Sequence, residues 1–317
     1  MATTSYHVPV LLEETLAQLD LKPGAVIVDG TLGGGGHAQA ILERTAPDGL
    51  LIGLDLDPDA IREAGERLSS FGDRVRLVQA SFRELEDVAR ELQPIAIDGV
   101  LLDLGVSSHQ LDRPERGFRF SPGPASPLDM RMNREEGGTT AASLLATLSA
   151  GDLERVFSQY GQLPGARRLA RAIVERRGMV PLATAKDLID LIQGLGIGRG
   201  RQHNPATLVF QALRIAVNDE LTALEEGLAA AIQVLRPGGR LVVLTYHSLE
   251  DRIVKHTFRS AARGCVCPPS FPVCRCGRKP TVLLATRRAI EPSSREIETN
   301  PRARSARLRA AARLEAA

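Results

Sequence analysis

"AVIVDGTLGGGGHAQAILER", residues 25–44, joins a short apolar run to four consecutive glycines and then to a segment with helical spacing. The run ends in Asp29 and Gly30 and reads as a strand buried on both faces. Glycines without a side chain let the backbone turn sharply and be approached closely. Strand, glycine turn and helix in that order predict free backbone N–H groups and a binding loop at the carboxyl end of a parallel sheet.

Working outward, "LLIGLDLD" (50–57), "VRLVQA" (75–80), "DGVLLDLGV" (98–106) and "RLVVLTYHS" (240–248) read as further buried strands. "PDAIREAGERLSS" between two of them has helical spacing, with Asp57 or Asp59 beside Pro58 placed to start it. Strand and helix alternate, which predicts an α/β fold with a mostly parallel sheet and crossover helices. From about 107 to 205 no comparable strand run occurs. A Pro/Gly/Arg-rich loop over 112–138 precedes "GDLERVFSQYG", "GARRLARAIVERRG" and "TAKDLIDLIQGLG", all helical in spacing. The expectation is an inserted all-helical domain at 111–205 and a discontinuous sheet domain at 1–110 and 206–317. Asn204 and Pro205 suit the N-cap and first position of the next helix. Ser248 and Asp251 have capping-box spacing, and "NPRARSARLRAAARLEAA" (300–317) is expected as a helix or a mobile basic tail.

The 317 residues are 43% hydrophobic and 25% charged, which fits a folded soluble enzyme and excludes a disordered tail protein. No apolar run reaches the roughly 18 residues needed to cross a bilayer, and the N-terminus lacks a basic, cleavable leader pattern. A cytoplasmic protein without a membrane partner is expected. The net charge of +2 hides a polarity: residues 1–106 carry 8 basic and 18 acidic groups, and residues 207–317 carry 18 and 10. The basic back half suits a polyanionic partner.

Gly33, Gly35 and Ala38 match the nucleotide fingerprint G-x-G-x-x-A, and Asp55 follows Gly35 by 20 residues, placed to accept hydrogen bonds from a ribose. Alone, this serves a nicotinamide enzyme or an S-adenosyl-L-methionine (SAM) enzyme equally. Asp29 separates them. A carboxylate within about 6 Å of a pyrophosphate repels it, whereas SAM carries an ammonium and a sulfonium. Asp103, closing the fourth strand run, adds a second negative charge on the same edge, and no Gly-Lys-Ser/Thr follows the glycines to make a phosphate loop. The remaining rivals are an NAD-dependent oxidoreductase and a non-catalytic RNA-binding protein on the same fold.

"HVPVLLEE", "DGTLGGGGH", "GLDLD", "DLGVSSHQLD", "RGFRF", "PLDMRM", "FQALRIAVNDEL", "GGRLVVLTYHSLEDR" and "NPRARSARLR" occur in this order over nearly the whole chain. The series resembles the bacterial RsmH (MraW) family. These are SAM-dependent methyltransferases acting on the N4 amino group of a cytidine in the decoding region of 16S rRNA. The resemblance implies the Rossmann-like class I methyltransferase sheet with a helical insertion. It implies SAM contacts at Gly35, Gly36, His37, Asp55, Phe82, Asp103 and Gln110, and 16S rRNA or the small ribosomal subunit as partner. The chain departs from the family pattern at Ala125, where an aspartate is usual, at Leu208 in place of an arginine, and at Tyr246 in place of a phenylalanine.

Asp103 and His247 are expected to frame the target amine, either being able to relay a proton; the alternative for His247 is to fix the "HSLED" turn. Arg113, Arg116, Arg119 and the arginines from Arg295 to Arg313 are candidate phosphate contacts, and with 3% aromatic residues extensive base stacking is not expected. The four cysteines all fall between Cys265 and Cys276 as two Cys-x-Cys pairs. That density could make a tetrahedral thiolate site. The spacing departs from the Cys-x-x-Cys of zinc ribbons, so no metal ligand is assigned. The oligomeric state, a homodimer included, is left open.

Overall fold

Neighbouring residues of a strand point to opposite faces, so a strand buried on both sides must be apolar throughout. That is how the apolar runs are used. The computed structural model describes residues 9–91, 96–119, 126–198, 204–268 and 271–315. Val26–Asp29 (β1), Leu50–Asp55 (β2), Val75–Gln79 (β3), Ile97–Asp103 (β4), Leu235–Thr245 (β5), Val282–Leu284 (β6) and Arg307–Arg313 (β7) form one sheet in the order β3-β2-β1-β4-β5-β7-β6. Strands β1 to β5 pair in parallel; β7 runs antiparallel to both β5 and β6.

On one face Val28, Ile52, Val100, Leu102, Leu241 and Val243 pack with Leu224, Leu228, Val254 and Phe258 from the helices Glu220–Val234 and Ser248–Ala262. On the other, Ile27, Leu51, Leu101, Val242 and Leu244 meet Leu19, Ile41, Leu42 and Leu68. Full burial of each such side chain stabilises by about 1.5–3 kcal/mol, which makes the sheet a rigid platform for its own edge.

From Arg307 to Arg313 the C-terminal segment is a strand and not a helix or a mobile tail; Pro301–Ser305 before it is a 3-10 helical turn. Arg307–Arg313 is inserted between β5 and β6, with Leu308, Ala310 and Ala311 buried. Alanine and arginine favour helix locally, but the unpaired edge of β5 and the packing of these side chains override propensity. Asp251 secures the strand by accepting from Arg309 Nε at 2.7 Å and Arg307 Nη1 at 3.1 Å. Burial opposes the charge of Asp251, yet the two guanidiniums together hold its pKa below the usual value.

Contacts divide the chain into Met1–Gly105 with Leu221–Ala317, and Val106–Glu220. The second unit therefore begins at Val106 instead of 111 and ends at Glu220 instead of 205. The helix Pro205–Asn218, expected with the sheet, belongs to this unit because Val209, Phe210 and Leu213 fill its core with Leu153, Phe157, Leu169, Ile173 and Leu188. Asn204 caps that helix through Ala206 N–H at 3.0 Å, with Pro205 at its first position. The helices Ala166–Arg177 and Ala185–Gly194 fall where the spacing places them, while the expected helix over 151–161 passes from α-helical Ala150–Arg155 into a π-helical turn, Val156–Tyr160. Among the described residues no helix is long and apolar enough to cross a membrane.

Candidate functional site

From β1 the chain winds outward to β2 and β3, and from β4 it winds the other way to β5. β1 and β4 lie side by side, so a crevice opens beyond their carboxyl ends, the position where open α/β sheets bind ligands. Asp29 ends β1, Asp103 ends β4 and Asp55 ends the neighbouring β2.

The glycine loop closes on these carboxylates. Thr31 N–H donates to Asp29 Oδ1 at 3.1 Å, Gly33 N–H to Asp55 Oδ2 at 2.8 Å, and Asp103 N–H to Thr31 Oγ1 at 2.5 Å. Leu32 and Gly35 N–H are taken by the carbonyls of Leu54 and Leu32. The expectation of free amides is thus corrected at positions 31, 32, 33 and 35. Their partners belong to the protein, which leaves those groups unable to form a phosphate cradle. The glycines serve shape: Gly33 and Gly35 have φ of 50° and 75°, and a Cβ on Gly36 would lie 2.6 Å from Pro9 Cγ. Gly35 caps the helix Gly36–Arg44, whose second residue is His37.

His37 is buried. Its Nε2 lies 3.1 Å from the Val10 carbonyl, which can only accept, so Nε2 carries a hydrogen; Nδ1 faces Asp103 Oδ2 at 3.4 Å. On its other oxygen Asp103 accepts from the Tyr246 hydroxyl at 2.7 Å. Burial and the charge of Asp103 keep that phenol protonated well above its usual range.

Burial dominates the electrostatics. Asp29 is pushed up to about 7 by desolvation, aided by the charges of Asp103 and Asp55. Asp55 is raised to about 6 by desolvation, in spite of the hydrogen bonds from Asp57 and Gly33 N–H. Desolvation also raises Asp103, while His37 and Tyr246 pull the other way. A cation placed among these groups relieves both burial and mutual repulsion, whereas a pyrophosphate would aggravate both.

Phe82 follows β3 in the turn Phe82–Glu84 and packs beside Gly227, where a Cβ would come within 2.3 Å of its ring. Gln110 lies in the helical unit: its Oε1 accepts from Ser107 N–H at 3.0 Å and its own N–H donates to Ser107 Oγ at 3.2 Å, closing a capping box. His247, not Ser248, caps the helix Ser248–Ala262. Its Nδ1 accepts from Glu250 N–H at 3.3 Å, and Nε2 lies 3.1 Å from Glu250 Oε1. The cap shifts one residue because Glu250 Oε2 reaches back to the N–H groups of Tyr246 and His247, while Asp251 is committed to β7.

Of the phosphate candidates, Arg116 is excluded by burial: its Nη2 donates to the carbonyls of Arg131 and Met132 inside the helical unit. Arg307 and Arg309 pair with Asp251, and Arg113, Arg119, Arg304 and Arg307 are exposed. Ala125 lies outside the described residues. Sequence reasoning missed Thr31, which ties the glycine loop to Asp103, and recorded Tyr246 only as a departure. Its signal was a polar tip one residue beyond a strand that neighbours the Asp103 strand. The four cysteines, left without a metal, bring their sulfurs together.

Residues 4–314 match the family model described as the MraW methylase family. A protein of Heliobacterium modesticaldum named ribosomal RNA small subunit methyltransferase H is 51% identical, covering 98% of this chain and 99% of its own length. A protein of the same name from Geotalea daltonii is 53% identical, covering 96% and 97%. The carboxylate-lined edge, the committed loop amides and this end-to-end similarity set the nicotinamide alternative aside: the chain belongs to the MraW methylase family.

Proposed function

We propose that the protein transfers a methyl group from SAM to the N4 amino group of a cytidine in the decoding region of 16S rRNA. One observation carries the cofactor: three carboxylates, buried Asp29 and half-buried Asp55 and Asp103, end neighbouring strands at the switch point of the sheet with proton affinities raised by desolvation. That donor set fits a molecule bearing a sulfonium and an ammonium. Asp29, Gly35, Gly36, His37, Asp55 and Phe82 would hold it on the sheet unit, and Gln110 is carried over from the family pattern. When bound, SAM supplies a methyl group already activated by a good leaving group.

What remains for the chain is positioning and one proton. Asp103, fixed by His37 on one oxygen and Tyr246 on the other, is the acceptor for an N–H of the target amine, orienting its lone pair. His247 acts as a positioning residue that holds Tyr246 and the start of its helix, since both ring nitrogens face Glu250. The RNA reading rests on the names of the relatives and on the basic back half of the chain, with the helical unit contributing to substrate recognition. An accessible, unpaired cytidine is the expected target, in the cytoplasm where ribosomes are made.

The test is transfer of labelled methyl from SAM to small ribosomal subunits and to naked 16S rRNA, followed by nucleoside mapping. Label in N4-methylcytidine is expected; label on another base, or none on either substrate, overturns the proposal. RNA binding should weaken steeply between low and physiological salt.

A further inference from the structure

Residues 263–281 link the helix Ser248–Ala262 to β6; the described ones, 263–268 and 271–281, have no regular secondary structure and none of them is buried. Val266, Phe271 and Val273 are exposed at 47%, 47% and 70%. A link of this length with no core of its own needs another source of order. It leaves the helix at Ala262 and its far end is tied back to the same helix, by Thr281 N–H to the Ala261 carbonyl at 2.8 Å and by Arg278 Nη2 to the Ser260 carbonyl at 2.8 Å. Between those ends the sulfurs of Cys265, Cys267, Cys274 and Cys276 converge, all within 4.8 Å of one another.

We propose that Cys265, Cys267, Cys274 and Cys276 form a structural zinc site that orders this segment. All four are free thiols. The Cys274–Cys276 and Cys265–Cys276 sulfur separations are 3.6 and 3.8 Å. A zinc ion with four tetrahedral sulfurs at about 2.3 Å sets each sulfur–sulfur edge at about 3.8 Å. Backbone N–H groups already point at the sulfurs: Val266 to Cys276 at 3.4 Å, Cys267 to Cys265 at 3.4 Å and Arg275 to Cys267 at 3.3 Å. Such outer contacts orient thiolate ligands and spread their charge. No aspartate or glutamate occurs between Asp251 and Glu291, so hard-oxygen cations have no ligand here, while Arg263, Arg275, Arg278 and Lys279 balance the negative charge that four thiolates leave on a divalent ion. Four protein sulfurs fill the coordination shell, which makes the site structural and distinct from the sheet edge.

The test is metal analysis of the full chain, purified without a histidine tag under reducing conditions. About one zinc per chain is expected, falling below about a tenth in Cys274→Ser/Cys276→Ser, with binding of S-adenosylhomocysteine unchanged as proof that the sheet unit is folded. Should that variant not fold, wild-type protein still decides. Cobalt exchange should give the visible spectrum of a tetrahedral tetrathiolate, and all four cysteines should resist alkylation until a chelator is added. Substoichiometric zinc without cobalt uptake, iron in its place, or Cys–Cys disulfides in anaerobically quenched protein would overturn the assignment.

Discussion

The carboxyl edge of the sheet and the cysteine segment solve opposite problems. At the edge, one buried and two half-buried carboxylates are desolvated against their own preference because apolar strands packed on both faces hold the backbone there regardless. Among the described residues of 263–281 nothing apolar is buried, and the side chains that could order the segment are sulfurs waiting on one another. A site on a strong core can hold destabilising charge and spend it on a ligand; a site without a core must take its order from the ligand.

The sharpest break in the comparison is Asp103→Asn, which keeps the shape of the edge and removes one of its three carboxylates. Methyl transfer should fall by about 10²–10³-fold while the fold persists; wild-type rates at saturating RNA would remove Asp103 from the chemistry. Next comes pH. With Asp29 near 7 in the unliganded protein, SAM affinity should rise about tenfold between pH 6 and pH 8 as the carboxylate ionises, measured by calorimetry. Stability of the unliganded protein should run the other way. A carboxyl whose folded pKa is raised contributes most below its unfolded value of 3.8 and loses that contribution as pH climbs through about 6 for Asp55 and about 7 for Asp29. Asp29→Asn should flatten that slope and weaken SAM binding together.

Tyr246→Phe is gentler, since the ring and its packing stay. Removing one hydrogen bond to Asp103 should lower kcat about three- to tenfold at neutral pH with KM for RNA unchanged. Because the lost bond favours the ionised carboxylate, the acid limb of the pH–rate profile should move to higher pH. An unshifted limb would mean that the hydroxyl only fills space. The smallest effect is expected on β7, between β5 and the edge strand β6. Arg309→Met leaves Asp251 with Arg307 alone and should cost about 1 kcal/mol in denaturant unfolding.

Much of the site was legible along the chain because its parts are strand ends. Asp29, Asp55 and Asp103 each close an apolar run, and a parallel sheet brings such ends to one edge whatever the loops do. The mostly parallel sheet and its helical interruption followed from the same runs, and the resemblance supplied the methyltransferase class. His247 was harder to place: the pattern allowed a proton relay or a cap, and only the position of Glu250 revealed the cap that it forms. Arg116 looked like its arginine neighbours in a basic loop, yet burial turned it inward onto backbone carbonyls.

Periodicity and turn chemistry by themselves determined the parallel strands, the glycine loop and the cap at Asn204, while the ordered series of motifs carried the resemblance to the family. Tertiary structure alone decided that an Ala/Arg-rich tail becomes β7, that the helix at 205–218 joins the helical unit, that Tyr246 meets Asp103 across 143 positions, and that four cysteines converge. The physical reason is range. Strand and loop preferences act between residues a few positions apart, whereas an unpaired sheet edge, a buried carboxylate and a cluster of thiols each exist only after distant segments have packed.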